Sequence, residues 1–147
     1  MADDGAVRGC ACFRLRRTTR AITRLYDDYL LPAGLTVTQY SLLAKLSAAG
    51  PVTMRSLADI MGMDRTSLTR TLAPLQAQGL VVIGRGTDRR SRAIRLTDDG
   101  DALRLRCRPI WQAAQEDLAR RLGGDTLDRL QALLDETFDR LHQDAAG

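Results

Sequence analysis

Two short stretches of this 147-residue chain carry side chains suited to meeting a polyanion. The first is Asp64-Arg65-Thr66-Ser67, continued by Thr69 and Arg70. Arginine offers a planar fork that matches the guanine edge, Ser and Thr hydroxyls donate to bases or phosphates, and the Thr methyl can touch thymine. The second stretch holds five arginines (85, 89, 90, 92 and 95) against one acid, Asp88. Arginine on a narrow tip suits the minor groove, where the negative potential is deepest. Asp88 reads as internal to the turn, a carboxylate for a neighbouring arginine or a backbone amide. Alone, each stretch has an ordinary alternative, a polar helix face or a solvated basic loop. In this order they are far more specific.

The charge distribution agrees. Residues 1–97 hold 15 basic and 7 acidic side chains, whereas residues 98–147 hold 7 and 11. One half is therefore disposed to meet a polyanion and the other is not. Catalysis finds little support: there is no Gly-rich phosphate loop, no nucleophile elbow, and the single histidine, His142, lies near the end. Cys10, Cys12, Cys107 and His142 lack the spacing of a closed metal-ligand set, so neither metal nor cofactor is expected. An odd cysteine count without a secretory signal argues for a reducing, cytoplasmic setting. No stretch approaches a membrane span.

The elements that must position these residues follow from periodicity and punctuation. An amphipathic helix is expected from about Cys12 to Leu31, with Cys12, Leu15, Thr19, Ile22, Tyr26 and Tyr29 near one face, ended by Pro32-Ala33-Gly34. Thr36 and Gln39 read as a capping box opening a helix that Gly50-Pro51 stops. Thr53 can cap a short helix carrying Leu57, Ala58 and Ile60. Gly62 supplies a tight turn, and Asp64 caps the next helix, which Gly79 closes. Two short helices about a glycine turn form the helix-turn-helix signature, with Arg65 onward as the reading helix and Leu68 and Leu72 facing inward. Pro74 should bend that helix beyond its reading residues.

Leu80 to Ile83 and Ala93 to Leu96 read as strands, and the arginine-rich segment between them as a hairpin tip, or wing. Thr97 can cap a long helix that Pro109 should kink or split. After Gly123-Gly124, Asp125 is expected to cap a last helix. Its Leu127, Leu130, Leu134, Phe138 and Leu141 recur at the spacing of a helix-packing seam. One small winged unit offers too little surface to cover this stripe and the first helix together, which argues for a dimer. The expected fold is mainly α with a small β-hairpin wing. A single domain spans 1–147: dimerisation helices at 12–34 and 98–144 flank a winged helix-turn-helix at 36–97.

DRRSRAIRLTDDG (Asp88 to Gly100) and LADIMGMDRTSLTRTLAPLQAQGLV, with Gly34-Leu35-Thr36 and Gln39, give the chain its family likeness: it resembles the MarR family of bacterial regulators. The resemblance implies a homodimer that binds double-stranded DNA at a pseudo-palindromic operator and usually represses. It also implies relief by a small, often aromatic or anionic, effector. On that likeness Arg90 is the matching wing residue, with Asp88 as its partner and Arg89 and Arg92 beside it. The segment CFRLRRTTRAITRLY further resembles the organic-hydroperoxide-sensing branch, in which Cys12 matches the reactive thiol and Tyr26 a supporting tyrosine. Arg16 and Val37 stand where that branch has tyrosines. The ordinary fate of Cys12 is a small apolar residue on a packing face.

Overall fold

The structure is a computed structural model that describes residues 9–88 and 90–145. Helix α1 (Ala11–Leu30) leads through a 3-10 turn (Leu31–Ala33) to α2 (Val37–Ala49) and a two-residue strand β1 (Val52–Thr53). Helices α3 (Met54–Met61) and α4 (Arg65–Ala77) are followed by strands β2 (Val81–Arg85) and β3 (Arg92–Leu96). Two long helices, α5 (Asp98–Leu122) and α6 (Gly124–Ala145), complete the chain. The expected architecture, mainly helical with a small wing, is what is found. The sheet has order β1-β3-β2 and is antiparallel throughout, with Ile94 paired to both Val52 and Ile83. Strand β1 escaped the sequence reading because two residues carry no periodicity.

Helix starts are fixed locally. Thr36 Oγ1 accepts from the Gln39 amide while Gln39 Oε1 accepts from the Thr36 amide, a complete capping box. Thr53, Asp64 and Thr97 cap α3, α4 and α5 with the side-chain half of that arrangement, accepting from the Ser56, Ser67 and Gly100 amides. Asp125 departs from expectation: it lies inside the first turn of α6, which begins at Gly124. There it still meets the positive end of the helix dipole.

Pro109 neither ends nor splits α5, which is one 25-residue helix. The proline leaves the Leu105 carbonyl without its helical partner, but Leu105 is exposed and water can replace the bond. Meanwhile Cys107 and Ala114 are fully buried, and Ile110 and Trp111 pack on the core, so burial outweighs the roughly 3 kcal/mol penalty. Helix α4 likewise continues through Pro74 to Ala77.

The main core joins Leu30, Leu35, Leu42, Leu43, Leu46, Leu57, Leu68, Leu72, Leu75 and Ile94, each at most 1% exposed. Leu68 and Leu72 face inward as their spacing required, whereas Ile60 of α3 points largely to solvent. A second cluster of Tyr26, Ala114, Leu118 and Leu127 ties α1, α5 and α6 together. Buried Asp117 reinforces it, accepting from the Tyr29 hydroxyl (3.1 Å) and pairing with Arg120 and Arg121 at 2.6 and 3.1 Å. Beyond these contacts both terminal helices have bare faces: Phe13 and Leu15 on α1, and Leu133, Leu134 and Leu141 on α6, are exposed.

Candidate nucleic-acid interface

The orientation of α4, the candidate reading helix, is set by what lies behind it. Leu68, Leu72 and Leu75 anchor α4, so Arg65, Thr66, Thr69 and Arg70 are left on the exposed side. Asp64 Oδ1 accepts from the Ser67 amide and Oδ2 from the Ser67 hydroxyl, both at 2.8 Å. Those hydrogen bonds hold the Asp64 carboxyl below its ordinary range. Asp64 and Ser67 therefore engage each other at the helix start, and Thr69 donates its hydroxyl to the Arg65 carbonyl (2.8 Å). The Thr69 methyl, the Thr66 hydroxyl and the two guanidinium groups remain to meet a ligand.

The wing stands beside this helix. The Gly86 amide donates to the Ser91 carbonyl (2.8 Å), and the Ser91 amide and hydroxyl both donate to the main-chain oxygen of Asp88 (3.1 Å). A methyl group on Gly86 would lie 2.3 Å from Ser91 Oγ, so a larger residue there would push the Ser91 hydroxyl off its bond to Asp88. Arg85 and Arg92 sit directly opposite on β2 and β3, a like-charge pair that weakens the hairpin by itself and is relieved by a polyanion. Arg90 and Arg92 are exposed, and Arg89 lies outside the described residues.

Between α3, α4 and the wing runs a cleft of about 660 Å³ whose basic lining is Arg55, Arg65, Arg90 and Arg92, with Thr53 and Thr69 beside them. Arg55 was missed in the sequence. The available signal was its position in the first turn of α3, where the helix dipole disfavours a cation and another use is implied. The root of the wing is fixed by Thr97. Its hydroxyl accepts from the Gly100 amide (3.0 Å) and is directed at the Gly79 and Leu80 carbonyls (2.7 and 3.0 Å). This joins the end of the reading-helix segment, the wing and the start of α5.

The thiols are distributed differently. Cys10 and Cys12 are exposed at the start of α1, and Cys10 Sγ caps the helix by accepting from the Phe13 amide (3.5 Å). Cys107 is buried, which pushes its thiol pKa up. Tyr26 is buried at the far end of α1 and donates its hydroxyl to Gln115 Oε1. Cys12 and Tyr26 are fourteen residues apart on one helix, about 21 Å along its axis, and are not brought together within the chain. Among the described residues no group of three His, Cys, Asp or Glu side chains is disposed to hold a metal ion. No helix among them is long and apolar enough to cross a membrane.

A glycine-turn helix pair followed by a basic hairpin, with long helices on either side, defines a winged helix-turn-helix protein. Comparison with known proteins narrows the class. The MarR family model matches residues 33–91. The multiple antibiotic resistance protein MarR of Salmonella typhimurium is 32% identical over 114 residues, covering 76% of this chain and 78% of its own. The organic hydroperoxide resistance transcriptional regulator of Bacillus subtilis is 30% identical over 133 residues, 90% of this chain and 89% of its own. The Mycobacterium tuberculosis regulator MosR, solved in complex with DNA, superposes with a TM-score of 0.77 at 36% identity, over 90% of this chain and 98% of that one. The chain belongs to the MarR family of DNA-binding transcriptional regulators.

Proposed function

We propose that the protein is a homodimeric cytoplasmic repressor that grips a pseudo-palindromic operator with two copies of α4 and the wing. A small aromatic or anionic effector would release it. The observation that carries this reading is the convergence of Arg55, Arg65, Arg90 and Arg92 on one cleft beside an exposed reading helix. In this reading Arg65, Thr66, Thr69 and Arg70 read the major groove, and Arg90, Arg92 and the matching Arg89 hold the backbone or minor groove. Asp64 and Ser67 serve chiefly by fixing the start of α4. The bare apolar faces of α1 and α6 are what a second copy would cover.

Selection of bound duplexes from a randomised library tests this. Wild type should enrich half-sites about one helical turn apart, and Arg65→Ala should relax the preference at one base pair per half-site. A charge at Leu134 should lower the mass in sedimentation and DNA affinity together. Enrichment of no sequence, by a protein that stays monomeric at micromolar concentration, refutes the reading.

A second reading concerns the signal, and the exposed Cys12 favours it, two residues after a capping thiol. The Cys12 thiolate attacks the distal oxygen of an organic hydroperoxide, the O–O bond breaks, and the alcohol leaves with one proton. The Cys12 sulfenate takes up a proton from solvent, and the sulfenic acid condenses with the Cys10 thiol, giving a disulfide and water. Duplex binding before and after stoichiometric hydroperoxide, in wild type and Cys12→Ser, separates the two signals. Wild type that stays bound with oxidised thiols leaves the small effector.

A further inference from the structure

The last helix reaches a contact far from the cluster that anchors it. Helix α6 is fixed at its start by Leu127, buried against Tyr26, Ala114 and Leu118. Eleven residues on, about 16 Å along the axis, the Phe138 ring lies on Gly62. A methyl group built on Gly62 would sit 3.2 Å from Cε2 and 3.6 Å from Cζ of that ring. Gly62 is the left-handed residue (φ +62°) that ends α3, and Asp64, two residues later, caps α4. The turn is also held by main-chain bonds, from the Gly62 amide to the Ala58 and Asp59 carbonyls (3.1 Å to Asp59) and from the Met63 amide to the Ala58 carbonyl (2.9 Å), and by Met61 and Met63 packing on the core. His142 stacks on Phe138 at 4.3 Å between centroids, with planes 26° apart, backing the ring one helical turn further along.

We propose that Phe138 is a positioning residue for DNA reading: with His142 behind it, the ring braces the turn between α3 and α4 and thereby sets the direction of the reading helix. Helix α6 then reaches from the Tyr26–Leu118 cluster to the reading head within one chain. A displacement of its first turns is delivered to Gly62 without passing through the wing. Three features support this. The ring meets backbone directly, with no second side chain between it and the turn. The turn it meets joins the two helices whose mutual angle decides how Arg65 and Thr66 are presented. Phe138 is 45% exposed, so its removal leaves the main core untouched. The proposal rests on the DNA-binding reading, and the experiment keeps the two separable.

The test uses the full chain and a duplex that wild type selects from a random library. In Phe138→Ala, amide exchange at Gly62 and Met63 should accelerate about tenfold, with α1 and α5 unchanged. Affinity for the selected duplex should fall about tenfold, as when the competent orientation drops to a tenth of the population. Because Phe138 also belongs to the apolar stripe of α6, both proteins are compared at concentrations where they sediment with the same mass, and there binding to an unselected duplex should stay at its wild-type value. Phe138→Leu should restore most of both losses. Gly62→Ala, which crowds the ring and puts alanine at φ +62°, should weaken selected binding, and adding Phe138→Ala to it should cost less than the two changes separately. Unchanged exchange at the turn, or faster exchange with unchanged selected affinity at matched sedimenting mass, would each overturn the proposal. Wild type selecting no duplex sinks the DNA reading instead, and exchange on the free protein then still decides whether the ring braces the turn.

Discussion

Gly100→Ala should destabilise the protein even though it replaces glycine by the best helix former. Gly100 is the third residue of α5, and a methyl group there would lie 2.0 Å from the Leu80 carbonyl oxygen and 2.7 Å from Leu96 Cδ1. Carbon and oxygen ordinarily approach no closer than about 3.3 Å, so α5 and the Leu80 backbone must separate by more than about 1 Å. The Leu96 methyl can rotate away, but the Leu80 carbonyl cannot. It accepts from the Thr97 amide at 3.1 Å, and the Thr97 hydroxyl is aimed at it (3.0 Å). Overpacking of this kind costs about 1–3 kcal/mol, and the upper end applies where backbone is the obstacle. Alanine returns up to about 1 kcal/mol of helix propensity, less in a first turn. The net loss should be about 2 kcal/mol, or roughly 6 °C in melting temperature for a chain of this size. Urea and thermal unfolding read it directly, with Gly124→Ala, where a methyl meets nothing, as a control for propensity alone. Gly100→Ala as stable as wild type would refute the reasoning about this junction.

Three further outcomes follow from the same geometry. Asp117 is held below the ordinary carboxylate range, first by its hydrogen bond from Arg121 and then by those from Tyr29 and the nearby guanidinium charges. Its contribution is thus present above the unfolded carboxylate pKa and is lost as pH falls through the depressed folded value. In Asp117→Asn the acid limb of a stability–pH curve should flatten, and an unchanged limb would count against this. Asp64→Ala removes the cap of α4 and should cost about 1 kcal/mol in urea unfolding. It should weaken DNA binding through the helix start, without changing which base is preferred. Leu72→Ala empties a fully buried position and should cost 2–5 kcal/mol, roughly 6–15 °C in the melting temperature.

Much of this was legible in the sequence where the determinants are local. Thr36 with Gln39, Thr53, Asp64 and Thr97 announce helix starts because a cap needs only a side chain and an amide three residues on. Leu68 and Leu72 announce the inner face of α4 because four residues make about one turn. The Asp88-to-Gly100 segment announces the wing because turn formers, arginines and an alternating strand coincide. What escaped is set by tertiary packing. Arg55 joins the basic cleft only when α3 meets the wing, and β1 exists only because β3 offers it an edge. Pro109 read as a kink or a split because its local penalty is visible, and the burial of Cys107, Ile110 and Trp111 that keeps the helix whole is not. Tyr26 with Gln115, and Phe138 with Gly62, lie too far apart in the chain for any spacing rule to pair them. The arginines were legible as a group, but not which of them line one cleft.

The central claim is that α4 and the wing form a nucleic-acid grip, and the salt dependence of duplex binding tests it most directly. Each phosphate engaged contributes about −0.9 to the slope of log affinity against log salt. The account predicts a steep linear decline for wild type and a slope shallower by about one unit per replaced arginine in each protomer for Arg90→Ala and for Arg55→Ala. Affinity that is insensitive to salt, or a slope that both substitutions leave at its wild-type value, would contradict it.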